Sequence, residues 1–517
     1  MKQLFITVSA MLVSLAAFSQ GEMDALRYST NELTGTARSV AMGGAFGALG
    51  GDISGIAINP AGIGVYKSSE VVATMNFRNS RTETSLNSGT ADKSKFSFSF
   101  DNMAFVGNVP TYNDDVPLVN SGFTYNRLKN FDRSYSMRSA GSVSSHGSLT
   151  DIMAQDANGY SERDLEHYNF NGIPYESWLG VLGYNSWLIN PNGAASYESL
   201  LAPGVPFENN VLQVEEKGYI HSYDFNAGTT ISNIVSLGLS IAVTDIDYRI
   251  SSFYDESLTA ADDGFSLYNS LRTEGSGIQV KVGAILKPVN ELRIGVAYHS
   301  PTWYRMTNYF SSAIDHNISG LVSDPAYKAE YVSSQTNTRD YDFTTPSKWT
   351  FSLAGVIGQV AILSLDYELT NYNSMSFAEP DEPNGNIYDS DRNQEIKEDF
   401  KNSSAVRAGA ELRITPQFSA RAGYAWMGSP VKSVLRDGSY SGEHTPAMAG
   451  PIAHFTLPKD AHHFTWGLGY KFTPQIYGDI AFVIKNQDSD LYAFGGAQRA
   501  TFKNNTVSGL LTLGYKF

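Results

Sequence analysis

The residues that could do chemistry in this chain are acids and histidines, and their spacing fits no metal or catalytic motif. Asp389 to Glu395 has an acidic spacing reminiscent of a calcium loop. However, Gln394 stands where the EF-hand pattern needs glycine, and its twelfth position is Phe400. The favoured interpretation is a solvated surface loop.

The histidines point to no cofactor either. His444, His454, His462 and His463 lie in or near the last large loop, but no ligand spacing supports a heme or metal site. The chain has no cysteine, which excludes thiolate ligands and disulfides. No serine–histidine–acid constellation emerges. We therefore expect no cofactor and no enzymatic activity, with a hydrolase as the weaker alternative.

Charged residues recur on one face of segments that alternate with a period of two, which is the period of a β-strand. An Arg or Lys facing the lipid midplane costs about 2–4 kcal/mol, and a dry core would leave such charges without partners. These positions therefore indicate a polar lumen. They are Lys281, Arg293, Asp366, Glu368, Arg407, Glu411, Arg413, Arg421, Asp479 and Lys485.

Fourteen alternating segments can be counted, and the last, Val507–Phe517, places apolar and aromatic residues on one face and small or polar ones on the other. A sheet that spans lipid must close. The predicted fold is therefore an all-β transmembrane antiparallel barrel of about fourteen strands, and two or three soluble sandwiches are the alternative. Strands are predicted to start near Glu70, Phe96, Gly122, Tyr219, Val235, Ile278, Leu292, Trp349, Val360, Val406, Phe418, Phe464, Ile476 and Val507.

Short turns alternate with long polar connections, which is typical of periplasmic turns and extracellular loops. The parity of the strands then puts Phe517 at the periplasmic side. The predicted long loops are 141–217, 252–275, 304–341, 373–401, 428–461 and 486–499, and the first is the largest.

The composition agrees with an exported barrel. Charged residues make up 17% and aromatic residues 12%, with 46 glycines, so strand and turn formers dominate. The net charge of −15 argues against a nucleic-acid partner. Residues 1–19 carry Lys2, an apolar stretch and a small-x-small site, which predicts a signal peptide rather than a membrane anchor.

Residues 20–68 do not alternate, and they are rich in small residues that permit close backbone packing. Such a compact segment ahead of a wide barrel (69–517) suggests a plug in its lumen. The stretch 47–51 is not a phosphate loop, because it lacks the Gly-Lys-Ser/Thr ending.

A family resemblance appears in this segment. Residues 38–46 (RSVAMGGAF), Asp52 and residues 59–63 (NPAGI) resemble the N-terminal signature of the FadL/OmpP1/TodX family. Residues 22–29 are similar to the form in Bacteroidetes members, which are sometimes labelled hemin receptors. The resemblance implies a fourteen-stranded outer-membrane transporter of hydrophobic compounds, occluded by an N-terminal hatch, with both termini periplasmic.

The same resemblance implies site residues. A mobile gate and a hatch would line the path of the ligand, and we expect Met23, Leu26, Tyr28, Asn59, Pro60, Ala61 and Gly62 to contribute to them. Family members release substrate sideways through a gap at a kinked strand. In 122–131 the alternation breaks, so Asn126, Arg127 and Lys129 either mark that gap through a bulge or already lie above the membrane.

The largest loop contains an apolar stretch, 175–188, with Trp178, Leu179, Leu182 and Trp187 at spacings that suit one helix face. It is interpreted either as a capture surface for a greasy substrate or as a lid packed over the barrel mouth.

The predicted function is passive uptake of hydrophobic small molecules, such as long-chain fatty acids or aromatic hydrocarbons, across the outer membrane of a Gram-negative bacterium. Expected partners are the substrate, outer-membrane lipid and lipopolysaccharide, and the insertion machinery through Phe517, with the protein a monomer. A surface barrel that holds a protein partner and a heme-uptake protein are the alternatives.

Overall fold

A computed structural model describes residues 21–87, 89–139, 147–166, 170, 173, 177–201, 207–258, 263–358, 360–381, 385–435, 446 and 448–517. The predicted signal peptide lies outside these residues, as does His444. Within the described residues, no helix is long and apolar enough to cross a membrane.

Fourteen antiparallel strands form one closed barrel, which confirms the predicted fold. The strands are β1 (Glu70–Leu86), β2 (Gly89–Pro110), β3 (Leu118–Asn130, continued by Arg133–Arg138), β4 (Phe207–Ile231), β5 (Val235–Leu258), β6 (Gly264–Val289), β7 (Leu292–His299, continued by Trp303–Asn317), β8 (Asn337–Thr344, continued by Lys348–Ile357), β9 (Ala361–Thr370, continued by Ser376–Asp381), β10 (Ser403–Arg413), β11 (Phe418–Met427), β12 (Phe455–Lys471), β13 (Ile476–Tyr492) and β14 (Ala500–Lys516). The barrel closes where β14 pairs with β1, for example at Val71 and Tyr515.

Several strands are much longer than the segments predicted from alternation. Strands β5 and β6 have 24 and 26 residues. The predicted loop 252–275 is therefore mostly a hairpin, and 304–317 and 486–492 are strand as well. The prediction of loops there was wrong because it took polarity as the end of a strand. Backbone pairing continues beyond the lipid, where outward side chains become polar while inward ones stay buried.

The lipid-facing band is clear on β5. Leu237, Leu239, Ile241 and Val243 are exposed and point outward, and they are followed in the same register by charged residues that begin at Asp245. Phe517 exchanges backbone hydrogen bonds with Ser69 (N···O 3.0 and 3.1 Å) at the short-turn end of the barrel.

Seven helices lie among the described residues. Helices α1 (Glu22–Ser29), α2 (Ala37–Ala41) and α3 (Ile53–Ile58), with a 3₁₀ turn at Pro60–Val65, precede the barrel strands; α4 (Leu149–Ala157), α5 (Glu162–Leu165), α6 (Trp178–Asn185) and α7 (Ser390–Asp399) lie in the loops. Short strands at Ile189–Pro191, Tyr197–Ser199, Tyr331–Ser333 and Gly385–Tyr388, and 3₁₀ turns at Tyr372–Ser374 and Ser433–Leu435, complete the loops.

Helix α1 lies at the loop end of the barrel, opposite Phe517. It contacts α7 and residues 448–449 of the last large loop. The expectation that both ends of the mature chain lie on one side therefore does not fit the described residues. The physical reason is that the apolar face of α1 needs a core, and the loops supply one.

Candidate functional site

The segment that precedes the barrel is seated in the lumen by Asn59. Its side-chain amide donates to the carbonyl of Gly47 (2.7 Å) and to that of Ala284 on β6 (3.2 Å), while its Oδ1 accepts from the Ala61 amide (3.1 Å). One side chain thus closes a turn of the segment and fastens it to the wall. The neighbouring Pro60, Ala61 and Gly62 are all buried.

Glycines on the inner wall admit the backbone of this segment. A Cβ on Gly283 would lie 1.9 Å from Asn59 Oδ1, and one on Gly238 would lie 2.2 Å from the Pro60 carbonyl. Similar clashes, all below 2.5 Å, would arise at Gly295, Gly409 and Gly423. The sequence showed glycines on the inner face of alternating strands, but not that they share one level, because register between strands is set by pairing.

Charged residues of the lumen also bind this segment. Arg38 donates to Glu411 (Nε–Oε2 2.8 Å), Glu411 also accepts from Arg421 (2.6 Å), and Asp366 accepts from the Gly47 amide (2.9 Å). The charges that predicted a polar lumen do face inward. Some of their partners are other wall residues, such as Glu368 for Arg407, and others belong to residues 21–68, which fill the lumen at this level.

Above this level, the predicted gate residues lie in an apolar core. Met23, Leu26 and Tyr28 of α1 are 2–5% exposed. The Tyr28 hydroxyl donates to Thr273 Oγ1 (2.9 Å), and its ring meets those of Tyr248 and Phe343 edge-on.

Polar contacts hold α1 against two loops. Asp24 caps its own helix and accepts from the Ala449 amide (2.6 Å), while Glu22 pairs with Arg392 of α7 (3.3 Å). Helix α1 therefore links the segment in the lumen to the loops at the mouth.

A cavity of about 190 Å³ lies beside α1. Its apolar lining includes Met23, Leu26, Phe131, Met427 and Met448. Its charged lining consists of six basic side chains against two acidic ones: Arg27, Arg78, Lys129, Arg133, Lys459 and Lys485, with Glu32 and Glu216. The cavity is amphipathic, with an excess of cationic groups.

The break in the alternation of β3 is a bulge. Pairing with β4 shifts register between Arg127 and Lys129. Lys129 consequently turns inward and donates to the Arg27 carbonyl (2.6 Å) and to the Thr30 hydroxyl. Asn126 also faces inward and accepts from Asn102 (2.7 Å), whereas Arg127 packs near the ring of Tyr219 (5.8 Å).

The wall of the barrel parts beside this bulge. The ladder between β2 and β3 ends at Asn102 and Asn126. Beyond that point, among the described residues, β2 pairs only with β1, and the continuation of β3 (133–138) pairs only with β4. Lys95 spans the opening to Glu215 Oε1 (3.2 Å).

The apolar stretch of the largest loop is packed as a lid. Trp178, Leu179 and Leu182 are at most 5% exposed, and the Trp178 ring lies 4.9 Å from that of Phe310. Trp187 is half-buried against Tyr327. Residues 175 and 176 of the predicted stretch lie outside the described residues. Capture of substrate by these side chains would first require the lid to open.

The lid is fastened to the barrel by Glu256 of β5, which lies well beyond the lipid-facing band. At the start of α4, its carboxylate accepts from the Ser148 hydroxyl (2.5 Å) and the Leu149 amide (2.9 Å). It also accepts from the hydroxyl of Tyr254 on its own strand (2.7 Å). Burial, with a smaller contribution from Asp151, raises the pKa of Glu256 to about 7, although these hydrogen bonds oppose the shift.

We expect the lid to loosen as the pH rises. A carboxyl group whose pKa is higher in the docked state binds more protons in that state. The free energy of docking the lid therefore becomes less favourable as the pH rises from about 4.5 to 7, by up to about 3 kcal/mol. Limited proteolysis of residues 147–201 should therefore be faster at pH 7.5 than at pH 5. In Glu256→Gln this difference should shrink; an unchanged difference would contradict the assignment.

The histidines and acids considered first lie apart from one another wherever the structure describes them. His462 faces outward and bonds to the Tyr424 hydroxyl (2.8 Å), whereas its neighbour His463 is buried inside. Asp389 caps α7 by accepting from the Arg392 amide (2.8 Å), so the acidic stretch begins a helix. Among the residues that the structure describes, no group of three or more potential metal ligands converges.

A closed fourteen-stranded barrel with a folded segment in its lumen and an amphipathic cavity above it defines an outer-membrane channel of the plugged type. The chain belongs to the family described as outer membrane protein transport protein (OMPP1/FadL/TodX), whose model matches residues 225–516. The family resemblance seen in the sequence is thereby confirmed. A search of curated proteins gave no match.

Solved structures show the same fold. A FadL homologue of Pseudomonas aeruginosa superposes with a TM-score of 0.54 at 12% identity, over 95% of this chain and all of that one. The toluene transporter TodX of P. putida gives 0.53 at 10% identity, over 94% of this chain and 99% of that one. The CymD monoaromatic hydrocarbon channel gives 0.50 at 11% identity, over 94% and 99%. At these identities the likeness concerns the fold alone.

Proposed function

We propose that this protein is a passive channel for hydrophobic small molecules with an acidic head group, such as long-chain fatty acids. The observation that carries the choice is the cavity beside α1, with its methionine, leucine and phenylalanine side chains and its six basic groups against two acidic ones. A neutral aromatic hydrocarbon would bring no counter-charge to those cations of the cavity that are incompletely paired. A carboxylate would pair with them while its chain fills the apolar side.

The head group would bind near Lys129 and Lys485. The other basic groups near them are in closer ion pairs: Arg78 with Glu32 and Arg133 with Glu216. Lys485 lies 3.9 Å from Glu32, and Lys129 bonds only to uncharged oxygens in the contacts seen. An arriving carboxylate would therefore find two lysines whose charge is incompletely balanced.

Gating would follow from the position of α1. A ligand that enters the cavity competes with Met23 and Leu26 for the same apolar wall, and α1 is continuous with the segment that fills the lumen below. Movement of α1 would be passed on to this hatch through the chain that links them, and the ligand would leave sideways where β2 and β3 part. In this proposal no energy source, cofactor or chemical step is needed.

The test compares two ligands that differ only in charge. Purified protein should bind a fluorescent C16 carboxylic acid, and Lys129→Met/Lys485→Met should weaken it roughly tenfold, as expected for the loss of one charge-assisted contact. Binding of the corresponding C16 alcohol should hardly change. Lys503→Met, on the exposed face of β14, is the matched control. Equal losses for acid and alcohol would contradict the proposed head-group site.

A further inference from the structure

The outer face of the barrel carries a second concave site, separate from the lumen. It is a groove of about 660 Å³ on the extensions of β4 to β7 above the lipid-facing band. Strand β2 forms the facing wall of the groove. The continuation of β3 bends inward behind β2, so Lys93 and Lys95 face the outer side of the extensions of β4 to β7. The groove thus lies outside the barrel, where the wall parts.

The outward residues of this sheet are ordered in layers by the register of the strands. The apolar band ends in the row Val243, Ile278 and Trp303. A charged layer follows. Its first row holds Asp245 and Arg305, its second Asp247 and Glu274, and its third Lys217, Arg249 and Arg272. Above it lies a layer of hydroxyls and aromatic rings, which forms the floor of the groove.

The floor of the groove has the chemistry of a saccharide site. Ser251, Ser270 and Ser311 form one row, and Phe253 and Tyr268 form the next, with ring centres 5.1 Å apart. Tyr331 is 62% exposed at the far side. Aromatic faces pack against the C–H faces of sugar rings, and hydroxyl side chains exchange hydrogen bonds with sugar hydroxyls.

The charged layer suits phosphate. Arg249 and Arg272 both donate to Asp247, each at 3.0 Å, and Arg272 also pairs with Glu274, while both guanidinium groups remain about half exposed. With Lys93, Lys95, Lys217 and Arg305, these two layers on β4 to β7 and the facing wall carry six basic groups against Asp245, Asp247, Glu274 and Glu215. Exposed arginines bind phosphate through paired donors.

We propose that this groove binds the phosphorylated saccharide headgroup of a glycolipid in the outer leaflet, with its acyl chains on the apolar band below. The order of the three layers, apolar, charged, then hydroxyl and aromatic, matches the order of acyl chains, phosphate and sugars along such a molecule. A simple phospholipid would satisfy the first two layers and leave the third without a partner.

The test uses the full-length protein in detergent, with purified rough-type lipopolysaccharide and phosphatidylglycerol as probes, and counts bound lipid by native mass spectrometry. Phe253→Ala/Tyr268→Ala should weaken lipopolysaccharide binding roughly tenfold and leave phosphatidylglycerol unaffected. Tyr388→Ala, an exposed tyrosine elsewhere in the loops, should bind as the wild type does.

The heat-dependent gel shift of the barrel reports whether the Phe253→Ala/Tyr268→Ala variant folds. If it does not fold, Arg249→Gln/Arg272→Gln provides a second variant. It should weaken lipopolysaccharide more than phosphatidylglycerol. Unchanged binding in both variants, or an equal loss for the two lipids, would overturn the proposal and indicate an ordinary lipid annulus only.

Discussion

Gly283→Val should open the barrel. The smallest side chain at this position would lie 1.9 Å from Asn59 Oδ1, so Asn59 must leave Ala284 and the Ala61 amide. Forcing extra carbon into a packed site costs about 1–3 kcal/mol, which would raise the fraction of unplugged molecules roughly 5- to 150-fold. Conductance in planar bilayers should rise accordingly, and cells should become sensitive to large antibiotics.

Gly355→Val is the matched control. Gly355 also lies within a strand, near the end of β8, but a Cβ there would meet nothing within 4 Å. It should leave conductance at the wild-type level. Equal conductance in the two variants, with both proteins folded as barrels, would show that the segment 21–68 does not close the pore through its contact with Gly283.

Deleting Gln20–Tyr28 should abolish most uptake while the barrel remains intact. The deletion removes Met23, Leu26 and Tyr28 from the core at the mouth, and burial of each such side chain contributes about 1.5–3 kcal/mol. It also removes the link between the loops and the hatch. Uptake of a fluorescent fatty acid should fall several-fold, whereas the heat-dependent gel shift should persist because the strand ladders are untouched.

Tyr28→Phe tests the hydrogen bond of Tyr28 separately from the presence of helix α1. It removes only the hydrogen bond to Thr273 and should reduce uptake little, since a single hydrogen bond contributes about 0.5–1.5 kcal/mol. Wild-type uptake in the deletion variant would contradict a gating role for α1.

The sequence was sufficient for the barrel because the signal is local. Alternation within β10, with Arg407 and Glu411 opposite Val406 and Ala408, is visible in the chain itself. Thirteen of the fourteen predicted strand starts lie within observed strands, and the other, Val360, precedes β9 by one residue. Strand ends were missed, as at 252–258, because ladders continue where outward residues turn polar.

The site was predictable only in part, because it depends on contacts between distant residues. The signature around Asn59 marked the hatch, but nothing in the sequence showed that Asn59 meets Gly283 or that Arg38 meets Glu411. The bulge at Arg127 was visible as a break in alternation. By contrast, the burial of Trp178, which is itself part of the lid, depends on Phe310, far away in the chain.

The most direct test of the central claim, a plugged channel for hydrophobic acids, is the identity of what copurifies with the protein. After mild detergent extraction, native mass spectrometry should show bound single-chain carboxylic acids, and these should be depleted in Lys129→Met/Lys485→Met. Bound heme, a stoichiometric polypeptide, or only neutral hydrocarbons in place of such acids would contradict it.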